Sequence, residues 1–191
     1  MLKGFRKARI TVSRNWKIEG LFVTHYITQG AYGHTYLLNV LLDDKTYLFT
    51  SFIPQSVLVD SLSFEIKDSK RIRPQAYYKK SLGIVNYYKY YATINGKTDL
   101  RFQAFEDWLS DARCIQDKID ADTSEFKPKD LVRLSLVCID KNVYTYLSEA
   151  ERIAYSNDIQ SAPANALSNI SGGCLGYFSV QTVNSKTASI K

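Results

Sequence analysis

The run Leu131-Val132-Arg133-Leu134-Ser135-Leu136-Val137-Cys138-Ile139, followed at once by Asp140-Lys141-Asn142-Val143, decides the fold class of this 191-residue chain. In the first nine residues apolar side chains alternate with others, which is the period of a half-buried β-strand. After Asp140 the period becomes helical, with apolar residues at Val143, Leu147, Ala150 and Ala154. Asp140 can cap that helix through its side chain. The stretch therefore predicts a strand that leads directly into one amphipathic helix near residues 140–155.

Most other periodic segments are typical of antiparallel strands. Branched and aromatic residues dominate 35–42 and 46–53, which flank a turn at Asp43-Asp44-Lys45 and so predict a hairpin. Further strands are predicted at 61–67 and at 86–94, and the second ends in the favoured hairpin-turn pair Asn95-Gly96. A weaker helical turn is predicted at 103–109. The fold class expected is mainly β, with a single helix that covers one face or end of a sandwich.

The last thirty residues predict a turn that delivers a closing strand. A polar run that contains Pro163 enters Ser171-Gly172-Gly173-Cys174-Leu175-Gly176-Tyr177-Phe178-Ser179-Val180. The Gly172-Gly173 pair permits positive φ, and Gly176 leaves room for a neighbouring backbone in an otherwise apolar strand. Nothing in this stretch indicates catalysis.

Several of these segments, taken in order, carry a resemblance to a known family. They are Thr35-Tyr36-Leu37-Leu38-Asn39-Val40, Lys45-Thr46-Tyr47, Ile53-Pro54, Val59-Asp60-Ser61-Leu62, Phe126-Lys127-Pro128-Lys129-Asp130, Ile139-Asp140-Lys141, Ala162-Pro163-Ala164-Asn165, Ser168-Asn169-Ile170 and Gly172-Gly173. In this order and spacing the chain resembles the domain of unknown function 4249 family (DUF4249) of Bacteroidetes envelope lipoproteins, over most of its length.

The resemblance implies a location, a fold and a division into domains. Such proteins look like outer-membrane lipoproteins of the cell envelope that often accompany nutrient-import receptors, so nutrient uptake is the implied context. It implies immunoglobulin-like β-sandwiches, with residues 1–56 as part of an amino-terminal immunoglobulin-like portion and 57–191 as an antiparallel β domain with one helix. A half-sandwich exposes strand edges, so residues 1–56 are expected to repack or to borrow strands from the second domain or a partner.

The beginning of the chain differs from that family pattern. Met1 to Arg9 is basic like the start of a signal peptide, but polar residues stand where an apolar region should follow. The first cysteine is Cys114, so no lipidated amino-terminal cysteine is predicted. The expectation is a fragment, an alternative start or a degenerate copy. No apolar run approaches the roughly 18 to 20 residues that a membrane span needs.

Charge does not indicate a nucleic-acid partner. The net charge is +6, but the basic residues are scattered in short clusters and no nucleic-acid-binding motif accompanies them. Solvated loops and strand edges account for them, because lysine discourages edge-to-edge pairing.

Cysteine and histidine usage predicts neither a metal nor a cofactor. Cys114, Cys138 and Cys174 are too widely spaced for a zinc site, and His25 and His34 have no nearby ligand pattern. Cys138 and Cys174 are expected to be small buried residues, with a disulfide between them left open. No nucleophile motif or glycine-rich phosphate loop occurs, so no catalytic residue is proposed.

Acidic residues are concentrated between Glu106 and Glu125. Paired carboxylates in this region would suit glycoside hydrolysis, which keeps open the alternative of a polysaccharide-acting enzyme. A polar surface loop explains the same residues, and the calcium-loop spacing is absent.

Tyrosines provide the candidate binding surface. In Tyr87-Tyr88-Lys89-Tyr90-Tyr91 consecutive side chains face opposite sides of a strand. If Tyr88 and Tyr90 enter the core, Tyr87 and Tyr91 project outward as a surface for sugar rings or a protein partner. The structural alternative is that tyrosine simply favours strands.

The functional hypothesis is a non-enzymatic envelope binding or accessory module whose partner is an import receptor or a glycan. The alternatives are the polysaccharide-acting enzyme and a truncated structural copy.

Overall fold

The computed structural model describes residues 12–14, 22–24, 30–42, 44–67, 71–79, 85–98, 103–107, 114–118, 127–155 and 165–190. These residues form twelve strands and one helix. The elements are β1 (Val12–Arg14), β2 (Phe22–Thr24), β3 (Thr35–Leu42), β4 (Lys45–Phe52), β5 (Val59–Lys67), β6 (Arg71–Lys79), β7 (Tyr87–Ile94), β8 (Lys97–Thr98), β9 (Gln103–Glu106), β10 (Cys114–Lys118), β11 (Leu131–Ile139), α1 (Lys141–Tyr155) and β12 (Thr182–Ser189).

The strands form four antiparallel sheets. One has the order β10-β6-β5, and a five-stranded sheet has the order β12-β11-β7 with β8 and β9 both paired to β7. The β1–β2 and β3–β4 pairs form two-stranded sheets. The prediction of a mainly β, antiparallel protein with a single helix near residues 140–155 is therefore confirmed for the described residues.

The main core lies between the three-stranded and five-stranded sheets. Tyr78 and Ala76 of β6 pack there against Tyr88 of β7 and Leu134 and Leu136 of β11, and all five are nearly inaccessible to solvent. Burial of these apolar side chains stabilises the fold by removing their area from water. The arrangement is that of a sandwich of two sheets.

The helix α1 covers the opposite face of the five-stranded sheet. Val143 and Leu147 pack on Val137 and Ile139 of β11 in a second cluster. The predicted apolar stripe of the helix is thus confirmed at Val143 and Leu147. Because α1 covers it, β11 is buried on both faces along its second half and only on one face along its first half.

The hairpin of β3 and β4 forms as predicted, with Asp44 at a φ of 61° in its turn. The Asn95-Gly96 turn also forms as predicted, with φ values of 49° and 83°. Positive φ at both central residues is the geometry that this residue pair favours. Asn95 further ties the turn to the next strand, since its Oδ1 accepts from the Leu131 N–H at 2.9 Å.

Several strands were not predicted, among them β6, β9 and β10. β6 contains Pro74, which argues against a central strand, but β10 pairs with β6 only from Gln75 onward, so Pro74 has β5 alone as a neighbour. The helical turn predicted at 103–109 is wrong over 103–106, because these residues form β9 and extend the sheet beside β7. Pairing with an existing edge outweighs a weak local helical period.

The closing strand is also displaced from its predicted position. Residues 171–181 contain no strand, and the strand that pairs with β11 is β12, which begins at Thr182. Gly172, Gly173 and Gly176 all have positive φ, so the glycine-rich stretch is a looped segment and Gly176 does not lie within a strand. Residues 165–181 are called the tail segment below.

The tail segment holds the β3–β4 hairpin against the rest of the protein. Asn169 donates from Nδ2 to the carbonyls of Thr50 and Phe178, at 3.0 and 2.7 Å, and its Oδ1 accepts from the Phe178 N–H at 2.9 Å. The Ser171 N–H donates to the carbonyl of Leu48 at 2.9 Å, and Phe49 forms an isolated bridge with Ile170. The hairpin thus receives backbone pairing from carboxy-terminal residues. The domain boundary near residue 56 and the immunoglobulin-like class stay predictions.

Asp140 joins the hairpin, the helix and the tail segment. Its Oδ1 accepts from the Val143 N–H at 2.9 Å, which caps α1, and its Oδ2 accepts from the Phe52 N–H at 3.0 Å and from the Ser51 hydroxyl. The Ser51 oxygen in turn accepts from the Val180 N–H at 3.1 Å. Asp140 and Ser51 are both buried.

No helix among the described residues has both the length and the apolar character that crossing a bilayer requires.

We expect Asp140→Ala to lower the free energy of unfolding by about 3 kcal/mol, since it removes a helix cap and leaves buried donors without acceptors. Asp140→Asn is the matched variant, because asparagine caps helices as well as aspartate does but its amide nitrogen cannot accept from Phe52. Urea unfolding of the parent protein and both variants measures the stability that the helix cap contributes separately from that contributed by the bonds to the hairpin. Equal stability of Asp140→Ala and the parent protein contradicts this assignment.

A second expectation concerns Gly172. An added Cβ there lies 3.1 Å from the Tyr47 ring and 3.3 Å from the Thr46 carbonyl oxygen, whereas one added at Gly173 meets nothing within 4 Å. Both residues have positive φ, so alanine is strained at both. We expect Gly172→Ala to destabilise by roughly 1 kcal/mol more than Gly173→Ala, because only the first also crowds a backbone atom. Thermal unfolding of the two variants measures the difference, and equal midpoints contradict it.

Candidate functional site

Tyr87 and Tyr91 lie on the face of β7 opposite to Tyr88 and Tyr90. This alternation is as predicted, and Tyr88 and Tyr90 are buried in the core between the sheets. The other face is not an open flat surface, however. Tyr87 and Tyr91 are half-buried and pack on the apolar cluster beneath α1. That Tyr87 and Tyr91 bind a ligand stays a prediction. The surface around them also includes residues of α1, whereas the expectation was an open face of the strand alone.

Six side chains from three parts of the chain meet at this place. We call them the tyrosine–lysine cluster: Tyr87, Lys89 and Tyr91 of β7, Tyr144 and Tyr146 of α1, and Tyr177 of the tail segment.

Ring contacts connect the three elements. The Tyr87 and Tyr144 ring centroids are 5.0 Å apart, which links β7 to the helix. The Tyr146 and Tyr177 centroids are 5.1 Å apart, which links the helix to the tail segment. These separations are those of attractive aromatic pairs. The tail segment therefore adds to the cluster a tyrosine that is distant in sequence and 38% exposed.

Lys89 lies between apolar neighbours on the sheet. Its cross-strand partners are Val137 on β11, which is fully buried, and Ala104 on β9. Its Nζ lies 5.9 Å from the centroid of the Tyr177 ring, at the outer limit of a cation–π contact. Lys89 is half-buried, and burial lowers the pKa of its amine because the charged form loses water.

No carboxylate of the described residues neutralises Lys89. Its side chain forms no ion pair or hydrogen bond within the part of the chain that the structure describes. Lys89 is therefore a cation with unused donor capacity beside an aromatic surface.

The tyrosine hydroxyls of the cluster are similarly uncommitted. None of the five forms a hydrogen bond with another residue among those described. Burial raises the pKa of Tyr144, with the nearby Glu106 and Glu151 carboxylates adding to the effect, and burial also raises the pKa of Tyr177. A shift in this direction leaves both phenols protonated at neutral pH. Protonated phenols can donate to a ligand and also accept from one.

The acidic residues of the 106–125 region do not all share one site. Asp107 is buried, where Oδ2 accepts from the Tyr88 hydroxyl and Oδ1 from the Asn86 N–H, both at 3.0 Å. Burial, with Asp107 next, raises the pKa of Tyr88 above its ordinary range. Glu106 is exposed at the end of β9, whereas Asp117 lies on β10 in the other sheet. Asp120, Asp122 and Glu125 lie outside the described residues.

Cysteines and histidines form no site in the described regions. Cys138 is a buried free thiol, as expected, and burial raises its pKa. Cys174 is also free but only half-buried in the tail segment, so the expectation of a buried strand residue is wrong there and the suggested Cys138–Cys174 disulfide is not formed. No group of three or more potential metal ligands occurs among these residues. His34 has a buried Nδ1 without a partner among them, and His25, Trp16 and Trp108 fall outside them.

Comparison of the chain with protein-family models, curated proteins and solved structures finds no match. The resemblance to the DUF4249 family accordingly stays a prediction.

The sequence analysis identified Tyr87 and Tyr91, two of the six cluster residues, but it did not identify Lys89. The alternation along 87–91 places Lys89 on the same face as Tyr87 and Tyr91, so this signal was present. Tyr177 had no comparable signal, because its position depends on how the tail segment folds back over the sheet.

We expect Lys89→Met to raise the thermal midpoint at pH 7 by about 1 to 2 °C, since it keeps the apolar stem and removes a partly desolvated charge whose effect solvent screens. Because the folded-state pKa is lowered, the unfolded state binds more protons between that value and the unfolded pKa of about 10.4, and the stability of the parent protein rises with pH across this window. The advantage of the variant should therefore shrink as pH approaches 10.4. Calorimetric midpoints from pH 7 to 10.5 test this, and an advantage that grows with pH contradicts it.

Proposed function

We propose that this protein is a non-enzymatic binding or accessory module of the bacterial cell envelope, which holds a glycan at the tyrosine–lysine cluster. The observation that supports this proposal is the presence, around the junction of β7, α1 and the tail segment, of five tyrosines whose hydroxyls have no hydrogen-bond partner among the described residues. Aromatic faces pack against the apolar faces of sugar rings, and phenol hydroxyls can satisfy sugar hydroxyls. The immunoglobulin-like class and the association with an outer-membrane import receptor belong to the same proposal and rest on the DUF4249 resemblance.

The construction of the cluster supports binding more than catalysis. Its side chains come from a strand and a helix that pack on each other, together with the tail segment that Asn169 holds in place. Side chains on such packed elements lose little further freedom when a ligand binds. Two carboxylates border the cluster: Glu106, the exposed cross-strand partner of Tyr87, and Glu151 of α1, which both act on Tyr144. Asp107 already accepts two hydrogen bonds in the core.

The test is titration of the purified chain with a panel of neutral and acidic oligosaccharides, followed by thermal unfolding and calorimetry. A ligand that binds the native state raises the midpoint, by an amount that depends on its concentration relative to Kd. We expect at least one oligosaccharide to do so. Tyr177→Ala should weaken this binding by roughly tenfold, as the loss of one aromatic contact and one hydroxyl implies.

Tyr32→Ala is the matched control, because Tyr32 is 68% exposed in the turn before β3 and lies outside the cluster. We expect this variant to bind as the parent protein does. If no oligosaccharide shifts the midpoint, or if both variants lose binding equally, the cluster is not a glycan site. A shift with an import-receptor fragment alone would support the accessory role and contradict glycan binding.

A further inference from the structure

Lys89 gives the tyrosine–lysine cluster a property that an aromatic surface alone lacks. Tyrosine faces and hydroxyls accommodate neutral and acidic sugars alike. Lys89, which has no acidic partner among the described residues, discriminates between them, because an incoming carboxylate meets a positive charge and an incoming neutral group leaves that charge unpaired.

The position of the amine suits an anion that is attached to a ring. The Lys89 stem lies between Val137 and Ala104, and the amine is directed towards Tyr177 rather than away from the protein. A ligand ring on Tyr177 would therefore have its substituents within reach of this ammonium group. The adjacent phenol of Tyr146, whose ring contacts that of Tyr177, can donate to the same substituents.

From these placements we infer that the cluster binds acidic saccharides, with the carboxylate of a uronic acid unit paired to Lys89 and the sugar ring against Tyr177. This inference rests on the proposed function and specifies its ligand class. The ion pair is partly shielded from water by β7, α1 and the tail segment, so it is stronger than an exposed pair. A carboxylate at this place also offsets the desolvation that the lysine charge experiences in the free protein.

The decisive comparison uses two ligands that differ only at the carboxyl group: oligogalacturonate and its fully methyl-esterified form. The two have the same sugar rings, so their difference in affinity reports the replacement of each carboxylate by a neutral methyl ester. We expect the parent protein to bind the acidic form at least roughly tenfold more tightly, since hydrogen bonds between charged groups are stronger than those between neutral ones. Isothermal titration calorimetry at pH 7 and physiological salt measures both constants.

Two lysine variants separate a specific contact from general attraction to a positively charged chain. Lys89→Met should bind both forms with equal affinity, near that of the parent protein for the ester. Lys186→Met removes an exposed lysine on β12, whose side-chain position belongs to the opposite face of the five-stranded sheet, and should keep the preference. Binding of the acid by the parent protein should also weaken as pH rises through the lowered pKa of Lys89, because the amine loses its charge. The other charged groups that face the cluster are Glu106 of β9 and Glu151 of α1, whose carboxylates act on Tyr144.

Four other results contradict the inference, and they differ in whether the proposed glycan site survives. Equal binding of acid and ester by the parent protein rejects acidic selectivity and leaves the glycan site standing. Binding of neutral oligosaccharides without binding of either galacturonate form also rejects acidic selectivity and leaves the glycan site standing. A preference that Lys89→Met and Lys186→Met reduce equally shows only general electrostatic attraction. Failure of every oligosaccharide rejects the proposed function together with this inference.

Discussion

The carboxylate of Asp140 is the constraint on which the surroundings of the cluster depend. It begins α1 by capping the Val143 N–H, and it holds the end of β4 through Ser51 and Phe52. Through Ser51 it also reaches Val180, just before the last strand. A single buried group therefore sets where the helix starts, where the hairpin ends and where the tail segment crosses the sheet. Because Asp140 is buried, its removal would leave each of these hydrogen-bond donors without an acceptor and out of contact with water.

The tyrosine–lysine cluster follows from that arrangement. With α1 starting at Lys141, Val143 and Leu147 meet Val137 and Ile139, so that Tyr144 and Tyr146 are placed beside β7. The path of the tail segment then brings the Tyr177 ring over the Lys89 amine. The tail segment, which carries part of the family resemblance, has a structural role at Asn169 and Gly172, where it lies against the hairpin. Its contribution to the site is a residue that the resemblance did not identify.

Sequence reasoning succeeded where one strand or turn determines its own geometry. The alternation of Leu131–Ile139, the helical period after Asp140 and the Asn95-Gly96 turn are local signals, and the structure contains all three. It was wrong where neighbours decide: β9 forms because β7 offers an edge, and β6 accommodates Pro74 because β10 stops short of it. The site shows the same division. The face of Tyr87 and Tyr91 follows from strand geometry, whereas its cover by α1 and its cation beside Tyr177 arise only in three dimensions.

The hydrogen bond from Val180 to Ser51 spans 129 residues of chain, and the bonds from Ser51 and Phe52 to Asp140 span 89 and 88. During synthesis, at about 5 to 20 residues per second, the hairpin therefore waits on the order of 10 s for the tail segment that completes its attachment. Throughout this interval Phe49 lacks Ile170 and Phe178, which it contacts in the folded protein. Docking of the hairpin is consequently a late event of folding, and contacts of such long range make that folding slow.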